Sequence, residues 1–243
     1  MTFVILIAYV YKNTTNSMSR CEQCIVRELS SLKALNKEEL STIAASKTKK
    51  IIKKGDVIFE EGDNVNGIFC VRDGIAKLTK LSANGKDHIV KLVKKGELLG
   101  QRSMISDEPV NLTAVALEDM NVCFIPKPEV MGFFDKNNQF SMNVMKSICH
   151  DLKDADDIMV NLAQKHVKQR LAIMLLYLNE TFGIDDDNTL KISLSRDELS
   201  SLIGTATESC IRLLSEFNKE NLIELIGKKI KLKDIVKLKK IAG

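Results

Sequence analysis

The chain has 243 residues with 44% hydrophobic and 28% charged content, the balance of a soluble globular protein long enough for two modest domains. Tryptophan is absent and aromatics make up only 5%, which argues against stacking platforms for single-stranded nucleic acid. Formal net charge is +4, yet the last seventeen residues hold seven lysines against Asp234 alone, so positive charge is concentrated at the C-terminal end.

The first predicted element is the apolar run Phe3–Val10. It is far short of the roughly 20 residues that cross a bilayer and lacks the basic flank and cleavage site of a secretory signal. The favoured reading is an N-terminal extension over residues 1–17, with translation starting at Met18. A short membrane-associating anchor is the alternative. The six cysteines, at 21, 24, 70, 123, 149 and 210, are scattered through a long lysine-rich chain, which favours reduced thiols in a cytoplasm over a disulfide framework.

From Ile51 to Phe134 short β-like runs alternate with turns at Gly55, Gly62, Gly74, Gly85 and Gly96. This is the pattern of an antiparallel barrel or roll, with Asn84–Gly85 as a hairpin turn. A long helix is predicted over about 139–166. Met145, Ile148, Leu152, Ala155, Met159, Leu162 and His166 recur at alternating spacings of three and four, an a/d seam suited to a parallel homodimer. Packing of that seam on its own domain is the competing reading. A further helix, 168–182, buries Leu171, Leu175 and Leu178, and the acidic loop Asp185–Asp186–Asp187 follows.

Ser195–Asn218 carries the most information. Ser195 with Glu198 can form a capping box, opening a short helix that runs through Leu199, Leu202 and Ile203. Gly204 suits a tight turn. Thr205 with Glu208 offers a second capping box, opening a helix with Cys210, Leu213, Leu214 and Phe217 on one face. The other face presents Thr207, Glu208, Ile211 and Arg212. Two such helices are the geometry that enters a DNA major groove, although an ordinary helical hairpin has the same periodicity. Leu222–Leu232 then reads as a β-hairpin turning at Gly227–Lys228, a wing whose lysines would meet phosphates.

A roll, a long helix and a winged helix-turn-helix in this order resemble the Crp/Fnr superfamily of bacterial transcription regulators. The most specific stretch is LSRDELSSLIGTATESCIRLLSEFNKENLIE, Leu194 to Glu224, and GDVIFEEGD, VRDGIAKL and KKGELLG match the turns of the roll. The resemblance implies an α+β architecture: an effector-type roll with an N-terminal helix over 18–136, a dimerisation helix over 137–166 and a DNA-binding domain over 167–243. It places Glu208 and Arg212 on the two base-reading positions, where a carboxylate can accept from cytosine N4 and a guanidinium can hold guanine O6 and N7. Ser195, Arg196, Thr205, Thr207, Ser209, Ile211, Lys228 and Lys229 complete the expected DNA contacts. Thr207 and Ile211 depart from the cAMP-binding and oxygen-sensing branches respectively, so neither branch's half-site transfers. Implied partners are a double-stranded operator, a second copy of the chain and RNA polymerase; no membrane is implied.

The resemblance also places an effector pocket at Gly96, Glu97, Leu98, Gly100, Gln101, Arg102, Ser103, Thr113 and Ala114. Cyclic-nucleotide binders have a ribose-binding Glu where Gln101 stands and an Arg for the phosphate before Thr113–Ala114, where this chain has Leu112. Arg102 is close in sequence but on a different position and strand phase. An apolar Leu cannot offset a cyclic phosphate, so the expected effector is not cAMP. Cys21 and Cys24 resemble the N-terminal pair of the oxygen-sensing branch, and Cys123 falls where that branch has a distant cluster ligand. The third N-terminal cysteine would land near Ser30, leaving three thiolates where a [4Fe–4S] cluster needs four. Reduced, inert cysteines are therefore favoured over an iron–sulfur cluster or thiol redox sensing, with Cys70 packing inward from a strand. Other function classes have less support: the altered cassette and added DNA-binding end argue against a cyclic-nucleotide module of a signalling assembly. No nucleophile–base set, P-loop or metalloprotease motif points to an enzyme.

Overall fold

The computed structural model describes residues 21, 24–82, 85 and 87–243. The Phe3–Val10 run and Met18 lie outside the described residues, as does Asn84 of the proposed hairpin turn. By internal contacts the chain divides into two compact units. One is drawn from the described residues up to Lys77 with Leu92–Ile148, the other from Leu78–Lys91 with Cys149–Gly243.

The N-terminal part opens with two 3₁₀ turns, Ile25–Leu29 and Ser31–Ala34, and helix α1, Lys37–Ser46. Asn36 caps α1 through a reciprocal box with Glu39, which satisfies two of the free N–H groups at the helix start. The strands are β1 (Thr48–Ile52), β2 (Val57–Phe59), β3 (Gly67–Asp73), β4 (Ala76–Leu81), β5 (Asp87–Val93), β6 (Leu98–Leu99), β7 (Thr113–Ala116) and β8 (Met120–Pro126). They form two four-stranded sheets, ordered β1-β8-β3-β6 and β2-β7-β4-β5. The antiparallel β3–β8 ladder places Cys70 directly opposite Cys123. Behind it, Ile68, Ile125, Met104, Val130, Phe133 and Phe140 join Leu32, Leu35, Leu40 and Ile43 in one buried cluster.

Between β6 and β7 the chain forms a short helix, α2, Gln101–Ser106, launched from Gly100 at φ +83°. This corrects the strand phase expected for Arg102, which sits exposed on a helix. An αL residue at that position turns the chain abruptly out of β6, at no Cβ penalty for glycine. Helix α3, Lys127–Lys136, leads into α4, Asn138–Gln164. Phe140 and Val144 anchor the start of α4 in the cluster. Further along, Met145, Leu152, Met159 and Leu162 are exposed, Leu152 and Met159 each at 62%.

The second unit holds α5 (Val167–Phe182), α6 (Arg196–Leu202), α7 (Thr207–Lys219), the hairpin β9–β10 (Ile223–Ile226, Lys229–Leu232) and α8 (Ile235–Ala242). Leu171, Leu175, Leu199, Cys210, Leu214, Phe217, Leu222 and Leu238 form its buried interior, all at 1% exposure or less. Helix α8 packs on α5. It takes up Lys237, Lys239 and Lys240, so the C-terminal lysine run is divided between the hairpin and a helix. Among the described residues, no helix is long and apolar enough to cross a membrane.

Candidate DNA interface and thiol cavity

The α6–α7 pair is built by local signals that the sequence carries. Ser195 accepts from the Glu198 N–H at 3.1 Å while the Glu198 carboxylate accepts from the Ser195 N–H at 2.9 Å, a complete capping box. Gly204 turns between the helices at φ +63°. A Cβ there would come within 2.7 Å of the Leu162 side chain, so both conformation and space call for glycine. The second capping box does not form. Helix α7 starts at Thr207 with Ala206 as its N-cap, one residue later than a Thr205 cap implied. The Thr207 hydroxyl is instead spent across the pair, donating to the Asp197 carboxylate at 2.8 Å with the Ser200 hydroxyl at 3.2 Å. Thr207 thus braces one helix against the other.

On the far side of α7 from its buried stripe, Glu208, Ile211 and Arg212 are exposed, while Ser209 and Thr205 are half-buried. One helical turn separates Glu208 from Arg212, so their side chains project from the same exposed face. The inner end of α7 is held by Lys168 of α5, whose ammonium lies between Glu216 at 2.5 Å and Glu220 at 3.1 Å and over the Phe217 ring. Those carboxylates raise the Lys168 pKa above its ordinary value, and Lys168 in return holds Glu216 below the usual carboxylate range.

Arg196 is half-buried and donates to the Gly227 carbonyl at 2.9 Å, tying the start of α6 to the hairpin tip. Lys228 and Lys229 stand exposed at that tip. Two other lysines of the run face carboxylates: Lys231 lies 3.7 Å from Asp187 and Lys233 lies 3.4 Å from Glu224. The positive surface offered by the hairpin is therefore narrower than the lysine count suggests.

Sequence reasoning missed Arg170. From α5 it donates to the carbonyls of Ile203 at 2.8 Å and Gly204 at 3.1 Å in the turn. It donates also to Lys165 at 3.0 Å and Leu162 at 3.3 Å at the end of α4. No local pattern marks an arginine whose partners lie on other elements.

In the roll, the residues expected to form an effector pocket are dispersed in role. Glu97 accepts from the Lys94 N–H at 2.9 Å, and Thr113 accepts from the Glu61 N–H at 3.0 Å. Ser103 bonds the Glu108 carbonyl, Ala114 is fully buried, and Arg102 is exposed. Leu98 and Gln101 face apolar side chains, Ile68, Met104 and Val130 among them. Gln101 is buried with its Oε1 unpartnered, in surroundings that offer no countercharge for a phosphate.

A different cavity, of about 30 Å³, is lined by Cys21, Cys24, Cys70 and Cys123 together with Arg27, Lys47 and Arg72. Lys47 donates to the Cys21 sulfur at 2.9 Å. Burial pushes the Cys70 thiol up to about 12 and raises Cys123, the latter against the pull of Lys47 and Arg72. The three cysteines singled out from sequence thus meet in one place, with Cys70 as an unforeseen fourth. Ser30 turns its hydroxyl to its own backbone turn, donating to the Arg27 carbonyl and accepting from the Leu32 N–H. Among the described residues, no three His, Cys, Asp or Glu side chains stand close enough, as they are placed, to hold a metal ion.

Comparison with known proteins agrees with this division of parts. Residues 49–137 match the cyclic nucleotide-binding domain family and residues 169–241 match the Crp-like helix-turn-helix domain family. The chain is 27% identical over 235 residues to the transcriptional activator protein Anr of Pseudomonas protegens, covering 96% of each. It is 25% identical to the fumarate and nitrate reduction regulatory protein of Vibrio cholerae, over 92% of this chain and 90% of that one. The structure of FixK2 from Bradyrhizobium japonicum superposes with a TM-score of 0.74 at 20% identity, over 81% of this chain and 98% of that one. With both domain families matched in order and full-length regulators as relatives, the chain belongs to the Crp/Fnr family of DNA-binding transcription regulators.

Proposed function

We propose that this regulator acts in the cytoplasm as a homodimer that reads a two-fold symmetric operator, its roll answering to an effector other than cAMP. The observation that carries the reading is the exposed Glu208–Arg212 face of α7, presented by a helix pair braced through Thr207, Asp197 and Arg170. Arg212 is assigned to a guanine and Glu208 to a cytosine of the half-site, with Ser195, Arg196, Thr205, Ser209 and Ile211 around them. Lys228 and Lys229 are assigned to the phosphate backbone, where contacts position the protein without reading sequence.

The dimer rests on the a/d seam of α4. Met145, Leu152, Ala155, Met159 and Leu162 are exposed in the single chain, and a second α4 lying parallel would cover them. Two α7 helices so related would meet successive major grooves about 10 bp apart. Such a dimer presents paired DNA-binding domains to a promoter, where RNA polymerase is the expected further partner. The effector reading rests on Gln101 and Leu112 and on the apolar surroundings of Gln101. Selection of binding sites from a random duplex pool, followed by mass measurement of the bound species, tests the whole. A palindromic site bound by two chains is expected; an asymmetric site bound by one chain would overturn the dimer reading.

A further inference from the structure

We propose that helix α8 is a second phosphate-contacting element, in which Lys239 and Lys240 hold the operator backbone at a place separate from the hairpin tip.

The hairpin does not account for the whole C-terminal lysine run. Lys228 and Lys229 stand exposed at its tip, while Lys231 and Lys233 lie against Asp187 and Glu224. Lys237, Lys239 and Lys240 are exposed on α8. Among the described residues, none of these three has a carboxylate within ion-pairing distance. Leu238 is fully buried where α8 packs on α5, which fixes the inward side of the helix. Residues one and two positions later point about 100° and 200° away from it, so Lys239 and Lys240 are turned outward by the helix itself.

A chain of hydrogen bonds sets where α8 ends. Lys165, just past α4, donates to the Ala242 carbonyl at 2.7 Å. Its own carbonyl accepts from Arg170 at 3.0 Å, and Arg170 donates to the Gly204 carbonyl at 3.1 Å. The last turn of α8 is thereby tied to the Gly204 turn, at the end of α6. The Arg196–Gly227 bond ties the hairpin tip to the start of α6. Those two anchorages are separated by the length of α6, Arg196–Leu202, about 10 Å. In a helix-turn-helix whose second helix enters the major groove, the first helix crosses the backbone. Lysines at both ends of that first helix therefore face different phosphates. Lysines in a last turn also favour the carbonyl end of their own helix, but that contribution is to stability alone.

This contact deepens the proposed function and rests on the docking of α7 in the groove. The test uses the full chain on duplexes carrying its selected operator, titrated over a salt series. Lys239→Ala and Lys240→Ala should each weaken all duplexes alike and lower the salt slope by about one unit, the double variant by about two. Lys239→Arg and Lys240→Arg should keep the slope of wild type. Lys237→Ala, one turn further from the anchored end, should change it by well under one unit. Single methylphosphonates, which remove one backbone charge at a time, locate the contact. At the phosphates that α8 holds they should weaken wild type but not the double variant, and those phosphates should differ from the ones insensitive in Lys228→Ala. Thermal melting checks that each variant is folded.

A folded double variant with the slope of wild type overturns the contact, as does an equal loss in Lys237→Ala. Unchanged DNA binding with loss of transcription by RNA polymerase also overturns it, and assigns the helix to a protein partner. If the double variant behaves as wild type while Arg212→Ala loses sequence preference, only the α8 contact falls. If the lysines couple to phosphates as expected while Arg212→Ala keeps wild-type preference, the contact stands and the base-reading assignment of α7 falls.

Discussion

The Arg170 guanidinium donates to the Ile203 carbonyl at 2.8 Å, and through its remaining nitrogens it holds three more carbonyls from the turn and the end of α4. A single charged group thus closes backbone positions that secondary structure leaves unpaired. Arg170→Ala should lower thermal stability of the DNA-binding unit by about 1.5–3 kcal/mol, the range for hydrogen bonds to a charged donor. Arg170→Lys should recover only part of this, because an ammonium cannot span the same carbonyls. Operator affinity should fall for both while sequence preference is kept. Melting and site selection on the two variants check the pair of statements, and a changed preference would show that Arg170 reads bases.

Base reading and phosphate contact should separate by mutation. Arg212→Ala should cost about 1–3 kcal/mol on the cognate site and relax preference at one G·C pair. Glu208→Ala should reduce discrimination while non-specific affinity rises, since a negative charge leaves the neighbourhood of the phosphates. Lys228→Ala and Lys229→Ala should weaken all duplexes alike and reduce the salt slope by roughly one unit each. Affinities on cognate and scrambled duplexes over a salt series measure all four. A wing variant that alters sequence preference while Arg212→Ala does not would reverse the assignments.

Leu152→Lys should give a folded monomer. Its side chain is 62% exposed in the single chain, so the substitution costs little within one copy. At an a/d seam it would place an ammonium between two apolar helices. Light scattering should show half the wild-type mass, and two-site binding should be lost. An unchanged mass would mean that the α4 seam does not hold the dimer.

Millimolar cAMP should leave the melting temperature nearly unchanged. A ligand present at 100-fold its Kd and bound only to the folded chain would add about 2.7 kcal/mol, which melting resolves easily. Gln101 and Leu112 offer no group to balance a cyclic phosphate, so a saturable rise would require another anchor for it.

Thiol chemistry should rank by burial. Burial holds Cys70 protonated up to about 12 and Cys210 up to about 11, so neither supplies thiolate near neutral pH. Iodoacetamide at pH 8 should modify exposed Cys149 first and reach Cys70 and Cys210 only on unfolding. Peptide mass mapping over time decides the order; early alkylation of Cys70 would mean that its strand opens readily.

The helix-turn-helix was legible in the sequence because its signals are local. The Ser195–Glu198 box, Gly204 and the Cys210–Phe217 stripe each act within one or two turns of chain, and all three are found where the spacing puts them. The hairpin at Gly227 was legible for the same reason. Where a local signal had a competitor elsewhere in the fold, it failed. Thr205 met the capping pattern, but Asp197 holds the hydroxyl of Thr207 and α7 begins there. Sequence by itself determined the order of roll, long helix and winged helix-turn-helix, because hydrophobic period and turn chemistry are properties of neighbouring residues. Only the tertiary structure decided that Arg170 locks the turn and that Cys70 faces Cys123 beside Cys21 and Cys24. Those partners are set by strand register and by packing between distant segments, and no spacing along the chain encodes which residues such pairing will bring together.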